Sequence, residues 1–247
     1  MINNRFDSND YEFNKTSPLG VYLIHGFTNT TYEIKELAEF LGNHGYHAIA
    51  KNLPGHGTDI QECNKVKYTD WLDQVKQDVA KLATESKKIY VIGCSMGAVI
   101  ALYLSSIFPL NGCIVGGTVL KFQNSFTVNY IAPLFAPFVK TSKKPSFYDK
   151  KRKSYGYSSF PLLALNEMRK LIKLVKKNLE NITIPTLIIH SNADKMSVKK
   201  NVDIIKSSIK SKDVKVFFVN HSHHNMFDEN PDQKFIFNEV LQFLNSH

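Results

Sequence analysis

Cysteine is scarce in this 247-residue chain, which holds only Cys63, Cys94 and Cys113. An odd count without metal-ligand spacing excludes a complete disulfide framework and points to a reducing compartment. Cys94 and Cys113 fall in apolar runs and read as core. The N-terminal residues carry Arg5 but no apolar stretch behind it, so they do not form a secretory signal. Internal repeats and low-complexity linkers are absent, as is any recognisable nucleic-acid-binding module. Charge is also missing from residues 89–108. A hydropathy window alone would make that stretch a membrane span. Gly93 and Gly97 bracket a small polar centre there, and a β-branched run changes to an Ala/Leu-rich one. A buried strand followed by a buried helix fits better. The expectation is a soluble, cytoplasmic protein with no stable membrane insertion.

Positive charge is in excess: 31 Lys and Arg against 22 Asp and Glu give a formal +9. The lysines are scattered, with denser patches at Lys143-Lys144, 150–153 and 170–177. This reads as a solvated surface. Attraction to anionic membranes or acidic substrates is the sharper alternative, and nucleic acid is not expected as a partner.

Strand and helix patterns alternate along most of the chain, which implies a mainly parallel, doubly wound sheet with helices on both faces. Strands are predicted at 21–24, 46–50, 89–92, 112–116, 185–190 and 214–219. Helices are predicted at 31–44, 70–85, after residue 97, and at 161–179, 198–209 and 232–244. Gly45 supplies a helix stop. The rhythm breaks over 118–182, a segment rich in aromatics and lysines in which Pro133, Pro137 and Pro145 prevent one long helix. The whole chain, 1–247, reads as a single domain carrying this insert.

The most informative stretch is Gly93-Cys94-Ser95-Met96-Gly97. A G-x-S-x-G between a buried strand and a helix is a nucleophile elbow. The turn is crowded, so a Cβ at either glycine would clash, and the helix N-terminus faces the serine. A serine hydroxyl needs a base, and the base needs an orienting acid. In this type of elbow they follow in the order Ser, Asp or Glu, then His. Asp194, in the loop after strand 185–190, is the acid candidate; its plainer role would be to cap the next helix. The loop after 214–219 holds His221, His223 and His224. Spacing alone does not choose among them, and His223 is favoured over His224, then His221. A metal site built from the three is disfavoured, because no Cys or Glu completes it. The oxyanion of a tetrahedral intermediate needs backbone donors. The N–H of Met96 follows the nucleophile, and that of Phe27 lies in the loop after the first strand. His25 and His56 read as loop organisers.

Taken together, His25-Gly26-Phe27-Thr28, Pro54-Gly55-His56-Gly57, the elbow, Asp194 and the 221–228 loop resemble an α/β-hydrolase, and Trp71 adds to the match. More narrowly, the chain is similar to small bacterial carboxylesterases grouped with monoacylglycerol lipases, from about residue 19 onward. In that group a histidine precedes an apolar-polar run ending in Leu-Asp or Val-Asp. His223 to Asp228 matches, which puts the base on His223, although the usual Ser-Gly-His becomes His221-Ser222-His223. The resemblance also implies that 118–182 is a cap whose aromatics, Phe126, Tyr130, Phe135 and Phe138 among them, line an acyl pocket.

The expected activity is that of a serine carboxylesterase on short- to medium-chain acyl esters, with Ser95, His223 and Asp194 as the triad and no metal or organic cofactor. Monoacylglycerol lipase and thioesterase activities are alternatives on the same triad. A non-catalytic ligand-binding scaffold is a remote one, since every catalytic position is filled. Dehalogenase and epoxide-hydrolase chemistry is disfavoured, because those relatives carry Asp where Ser95 stands.

Overall fold

The apolar runs assemble into one seven-stranded sheet in a computed structural model that describes residues 6–144 and 156–247. In chain order the elements of the first half are β1 (Tyr11–Phe13), β2 (Leu19–Ile24), α1 (Lys35–Asn43), β3 (His47–Ala50), α2 (Ile60–Cys63), α3 (Tyr68–Glu85), β4 (Lys88–Cys94), α4 (Met96–Ser105) and β5 (Gly112–Gly116). Between β5 and the next sheet strand lie a π turn (Thr127–Ile131), α5 (Ala132–Phe135), the small antiparallel pair β6 (Thr141–Lys143) and β7 (Ser159–Pro161), and α6 (Leu162–Asn178). The chain closes with β8 (Thr186–Ser191), α7 (Lys200–Ser208), β9 (Val214–Val219) and α8 (Gln233–Ser246). The sheet order is β1-β3-β2-β4-β5-β8-β9, parallel throughout except for the antiparallel edge strand β1.

Period-2 alternation sorts the strand side chains onto two cores. Tyr22, Ile24, Val91, Val115 and Ile188 face Trp71, Val75 and Val79 of α3, together with α4 and α6. Val21, Leu23, Ile92, Ile114 and Ile189 face Leu37 and Leu41 of α1 and Ile236, Val240 and Phe243 of α8. Each such aliphatic side chain stabilises the fold by about 1.5–3 kcal/mol through burial. The predicted helix at 31–44 is two pieces, a 3₁₀ turn at Thr31–Glu33 and then α1, and Gly45 ends it at φ +93°. The uncharged stretch 89–108 is β4 and α4, as expected from its glycines. Among the described residues, no helix is long and apolar enough to cross a membrane.

The predicted 161–179 helix is α6, and its apolar face is part of the main core rather than an appendage. The hairpin β6–β7 and the edge strand β1 carry no sequence pattern strong enough to announce them, being three residues each. The basic run at 150–153, together with Phe147, Tyr148 and Tyr155, lies outside the described residues.

Two glycines weld the centre of the sheet to the elbow. A Cβ on Gly97 would lie 2.1 Å from the Ile24 carbonyl oxygen, and one on Gly93 would lie 2.2 Å from the Gly97 oxygen. Neither obstacle can rotate away, because both are backbone. Gly97→Ala is therefore expected to destabilise the protein by roughly 3 kcal/mol or more, in the overpacking range. Gly45→Ala, where a Cβ meets nothing within 4 Å and only the positive φ is strained, costs about 1 kcal/mol. Urea denaturation of the two variants checks the order, and equal losses would contradict it.

Candidate active site

Ser95 sits where β4 turns into α4, at φ 56° and ψ −111°. A non-glycine residue rarely adopts this conformation, and it persists only where the surroundings enforce it. Here the enforcement comes from the Gly93–Gly97 contact on one side and from the Ser95 N–H, which donates to the Gly116 carbonyl at 2.9 Å, on the other. The side chain is thereby aimed away from the sheet.

Two later loops meet it. The Ser95 hydroxyl lies 2.8 Å from His224 Nε2, and His224 Nδ1 lies 2.8 Å from Asp194 Oδ2. With Nδ1 carrying the proton and donating to Asp194, Nε2 is free to accept the serine proton. Asp194 does not cap α7, whose N-cap is Lys199; its other oxygen instead accepts from the N–H groups of Met196 and Ser197 in its own loop, at 2.7 and 2.9 Å. One oxygen holds the loop and the other holds the imidazole. Burial pushes the Asp194 pKa up, but the neighbouring His224 charge and hydrogen bond, with the two N–H groups, outweigh it and hold the carboxyl below its usual range. Burial pushes His224 down, and the charge and hydrogen bond of Asp194, helped by Glu33, raise it above the ordinary imidazole value.

The histidine that lies between Ser95 and Asp194 is therefore His224 and not the expected His223. Asp232 decides this. It accepts from the N–H groups of His221 and Ser222, both at 2.7 Å, and it also lies 3.2 Å from the His221 ring. Ser191 Oγ donates to the Ser222 carbonyl. With residues 221–222 tied down and Met226 and Phe227 fully buried, the intervening chain turns His223 out to solvent and His224 inward. A signal was present: read with Ser222 as the serine of Ser-Gly-His, the histidine slot is His224 and His223 stands in the glycine position.

The loop after β2 faces the elbow from the other side. His25 Nε2 accepts from the Leu53 N–H at 3.0 Å and Nδ1 donates to the Gly26 carbonyl at 2.9 Å, so the ring is neutral. Burial pushes its pKa down to about 4, and that of His56 beside it down to about 3. These two histidines organise loops, as their contexts suggested. Trp71 Nε1 donates to the Pro54 carbonyl at 3.0 Å and fixes the second loop. The Gly26 N–H is bound to the buried Glu33 carboxylate. The next donor along the chain is the N–H of Phe27, and that of Met96 opens α4.

A cavity of about 420 Å³ opens onto Ser95 and His224. Its apolar wall comes from Phe27, Val119, Phe122, Val128, Phe160, Leu162, Leu165 and Met168. The four aromatics expected to line it do not. Phe126, Tyr130, Phe135 and Phe138 are 67, 67, 51 and 84% exposed on the outside of the insert. Residues 126, 130 and 134 fall on one helical face and 128 and 132 on another. Both faces are apolar, and the smaller residues Val128 and Ala132 are the ones turned inward. Aromatic content alone could not choose the face.

The family described as serine aminopeptidase, S33, matches residues 18–231. This chain belongs to that family. A thermostable monoacylglycerol lipase of Bacillus sp. (strain H-257) is 27% identical over 241 residues, spanning 94% of this chain and 93% of that protein. A carboxylesterase of Bacillus subtilis (strain 168) is 24% identical over 227 residues, 91% of each. Among solved structures, one from work on the metagenome-derived lipolytic enzymes LipS and LipT overlays with a TM-score of 0.89 at 22% identity, over 97% of this chain and 98% of that one. The fold is that of the α/β-hydrolases, and the protein is a serine hydrolase of the lipase and esterase kind.

His224→Ala is expected to lower kcat/KM on p-nitrophenyl butyrate by about 10³-fold or more, and His223→Ala by less than about twofold. The reverse pattern would return the base to His223. Because His224 must be neutral to act and its pKa is raised, activity rises with pH through a limb centred above 6.5. A kcat/KM profile with its acidic limb below that value would contradict the assigned surroundings.

Proposed function

We propose that the protein is a carboxylesterase acting on short- to medium-chain acyl esters, monoacylglycerols among them, through a Ser95 acyl-enzyme. The observation that carries this reading is the unbroken Ser95–His224–Asp194 hydrogen-bond chain opening into an apolar cavity. The described cavity wall contains Lys143 and Lys195 but no Asp or Glu. An aminopeptidase substrate brings an α-ammonium group, which a carboxylate would bind. An apolar wall with two flanking cations suits an uncharged acyl chain instead.

In the first half-reaction Ser95 Oγ attacks the ester carbonyl while His224 Nε2 takes its proton. The developing oxyanion is held by the N–H groups of Phe27 and Met96. Asp194 stabilises the imidazolium. Collapse of the tetrahedral intermediate breaks the bond to the alcohol oxygen, and His224 returns the proton to that oxygen. Water, deprotonated by His224, then attacks the acyl carbonyl, and the serine leaves with its proton restored. His224 carries the proton in both half-reactions, from Ser95 to the leaving alcohol and then from water back to Ser95.

The insert, 118–182, acts as a cap in this reading, with Leu162, Leu165 and Met168 of α6 against the acyl chain. Tyr157 ties its end to the oxyanion loop, its N–H donating to the Thr28 carbonyl at 3.0 Å. A cytoplasmic location accords with the three cysteines, all free and buried.

Ser95→Ala is expected to reduce hydrolysis of p-nitrophenyl esters by about 10³-fold or more and to abolish labelling by a fluorophosphonate probe. Retained activity would end the proposal. Leu165→Trp fills the cavity, and it should cut octanoate turnover relative to acetate by about tenfold, the scale at which pocket shape discriminates chain length. An unchanged ratio across an acyl series would remove Leu165 from the acyl site.

A further inference from the structure

Glu33 is fully buried, yet it lies within the active-site region and the reaction sequence above does not use it. It sits in the 3₁₀ turn before α1 and reaches back under the oxyanion loop. Oε2 accepts from the Gly26 N–H at 2.5 Å, and Oε1 accepts from the Asn29 side-chain amide at 2.7 Å. The Cys94 thiol, which donates to the His224 carbonyl, lies beside the carboxylate. Burial pushes the Glu33 pKa above the usual carboxylate range, and the Gly26 N–H, the His224 charge and the Asn29 amide oppose that rise by favouring the ionised form. The place of this charge is the notable point. A Cβ built on Gly26 would lie 3.1 Å from Glu33 Oε2 and 3.1 Å from Ser95 Cβ, so carboxylate and nucleophile flank the same glycine.

An isolated buried carboxylate is costly. A loop that needed only a hydrogen-bond acceptor could take a glutamine. The charge has the Lys144 ammonium on one side, and it gains a second partner if a neighbouring group becomes positive during the reaction. His224 does, at the moment it takes the Ser95 proton.

We propose that Glu33 is a positioning residue for acyl transfer: its buried carboxylate fixes Gly26 and Asn29 so that the Phe27 N–H faces the oxyanion, and its negative charge favours the His224 imidazolium. The inference rests on Ser95, His224 and Asp194 acting as a catalytic triad. His224 is faced by Asp194 and His190 from β8 and its loop, by Cys94 and Ser95 at the elbow, and by Glu33 from below. Of these, Asp194 and Glu33 are the carboxylates, so the imidazolium has two counter-charges. Lys144, held by Thr28 Oγ1 at 2.8 Å, faces Glu33 from the opposite side. Burial pushes the Lys144 pKa down to about 8, so near neutral pH it keeps the pocket floor from carrying uncompensated negative charge.

The test is the pH dependence of kcat and kcat/KM on p-nitrophenyl butyrate for wild type, Glu33→Gln and Glu33→Asp, with folding checked by circular dichroism. Glu33→Gln keeps the shape and loses the charge. Its acidic limb should move down by about 0.5–1 pH unit, because removing a nearby anion makes His224 easier to deprotonate. Its kcat should fall about 5- to 50-fold with KM within about threefold, the pattern of an interaction made mainly in the transition state. Glu33→Asp keeps the charge but cannot reach both donors; its kcat should fall while its limb stays at the wild-type pH. A folded Glu33→Gln with an unmoved limb shows a purely structural residue and overturns the proposal. If Glu33→Gln does not fold, Glu33→Asp decides, and full kcat there overturns it. A wild-type protein without hydrolysis, or a Ser95→Ala variant that retains it, sinks the esterase reading instead.

Discussion

The site depends on one backbone contact, the seating of Gly97 against the carbonyl oxygens at the end of β2. Without a side chain at that position, α4 starts close enough to the sheet for a Cβ there to lie 2.1 Å from the Ile24 oxygen and 2.6 Å from the His25 oxygen. Two consequences follow together. Ser95, two residues earlier, is driven into its strained backbone conformation and projects outward. The loop leaving β2 is carried alongside, so Phe27 and Met96 lie on the two sides of the serine. The Ser95 turn and the loop that carries Phe27 thus meet at the same contact, and a change at Gly97 would disturb both.

Electrostatics then separates His224 from the buried His25 and His56. His25 and His56 are packed among aromatic rings and backbone carbonyls, with no carboxylate partner, and burial drives both well below the range in which they could carry a proton at neutral pH. His224 is partly exposed at the cavity, Asp194 is bonded to it and Glu33 stands behind it, and together the two carboxylates outweigh burial so that its pKa moves upward. Environment assigns two histidines to permanent neutrality and one to proton exchange. The organisers can hold their loops by a single fixed tautomer because they never titrate in the working range.

Much of this was legible in the residues. Long periodic elements such as α3 and α6 stand at their expected places to within about two residues, because their apolar spacing survives any reading frame. The elbow and Asp194 were legible because glycine placement and chain order reflect steric and topological necessity. The pocket wall was not, and the histidine was legible only in the Ser222-x-His224 spacing. Periodicity alone does not choose His224 over His223; Asp232, eight or nine residues further on, clamps the loop ahead of them. Choosing Val128 over Phe126 required knowing which face of a wholly apolar segment turns inward. Both depend on tertiary contacts that one-dimensional periodicity does not encode. β1 escaped for a simpler reason: three residues carry too little pattern.

The insert is less separate from the hydrolase body than its broken rhythm suggests. Its last helix, α6, buries Leu162, Ala164, Leu165, Met168, Leu171, Ile172 and Val175 in the same core as α4, the helix that begins at the elbow. Leu165 and Met168 also face the cavity. One helix face therefore supports the nucleophile's helix and forms the wall that meets the substrate. A substitution that widens the acyl space at these positions also removes packing from behind Ser95, at a cost of about 2–5 kcal/mol for a Leu→Ala change in a core. Val119 and Phe122, on the β5 side of the same cavity, pack into the same core as α4, so widening the cavity there carries a packing cost as well.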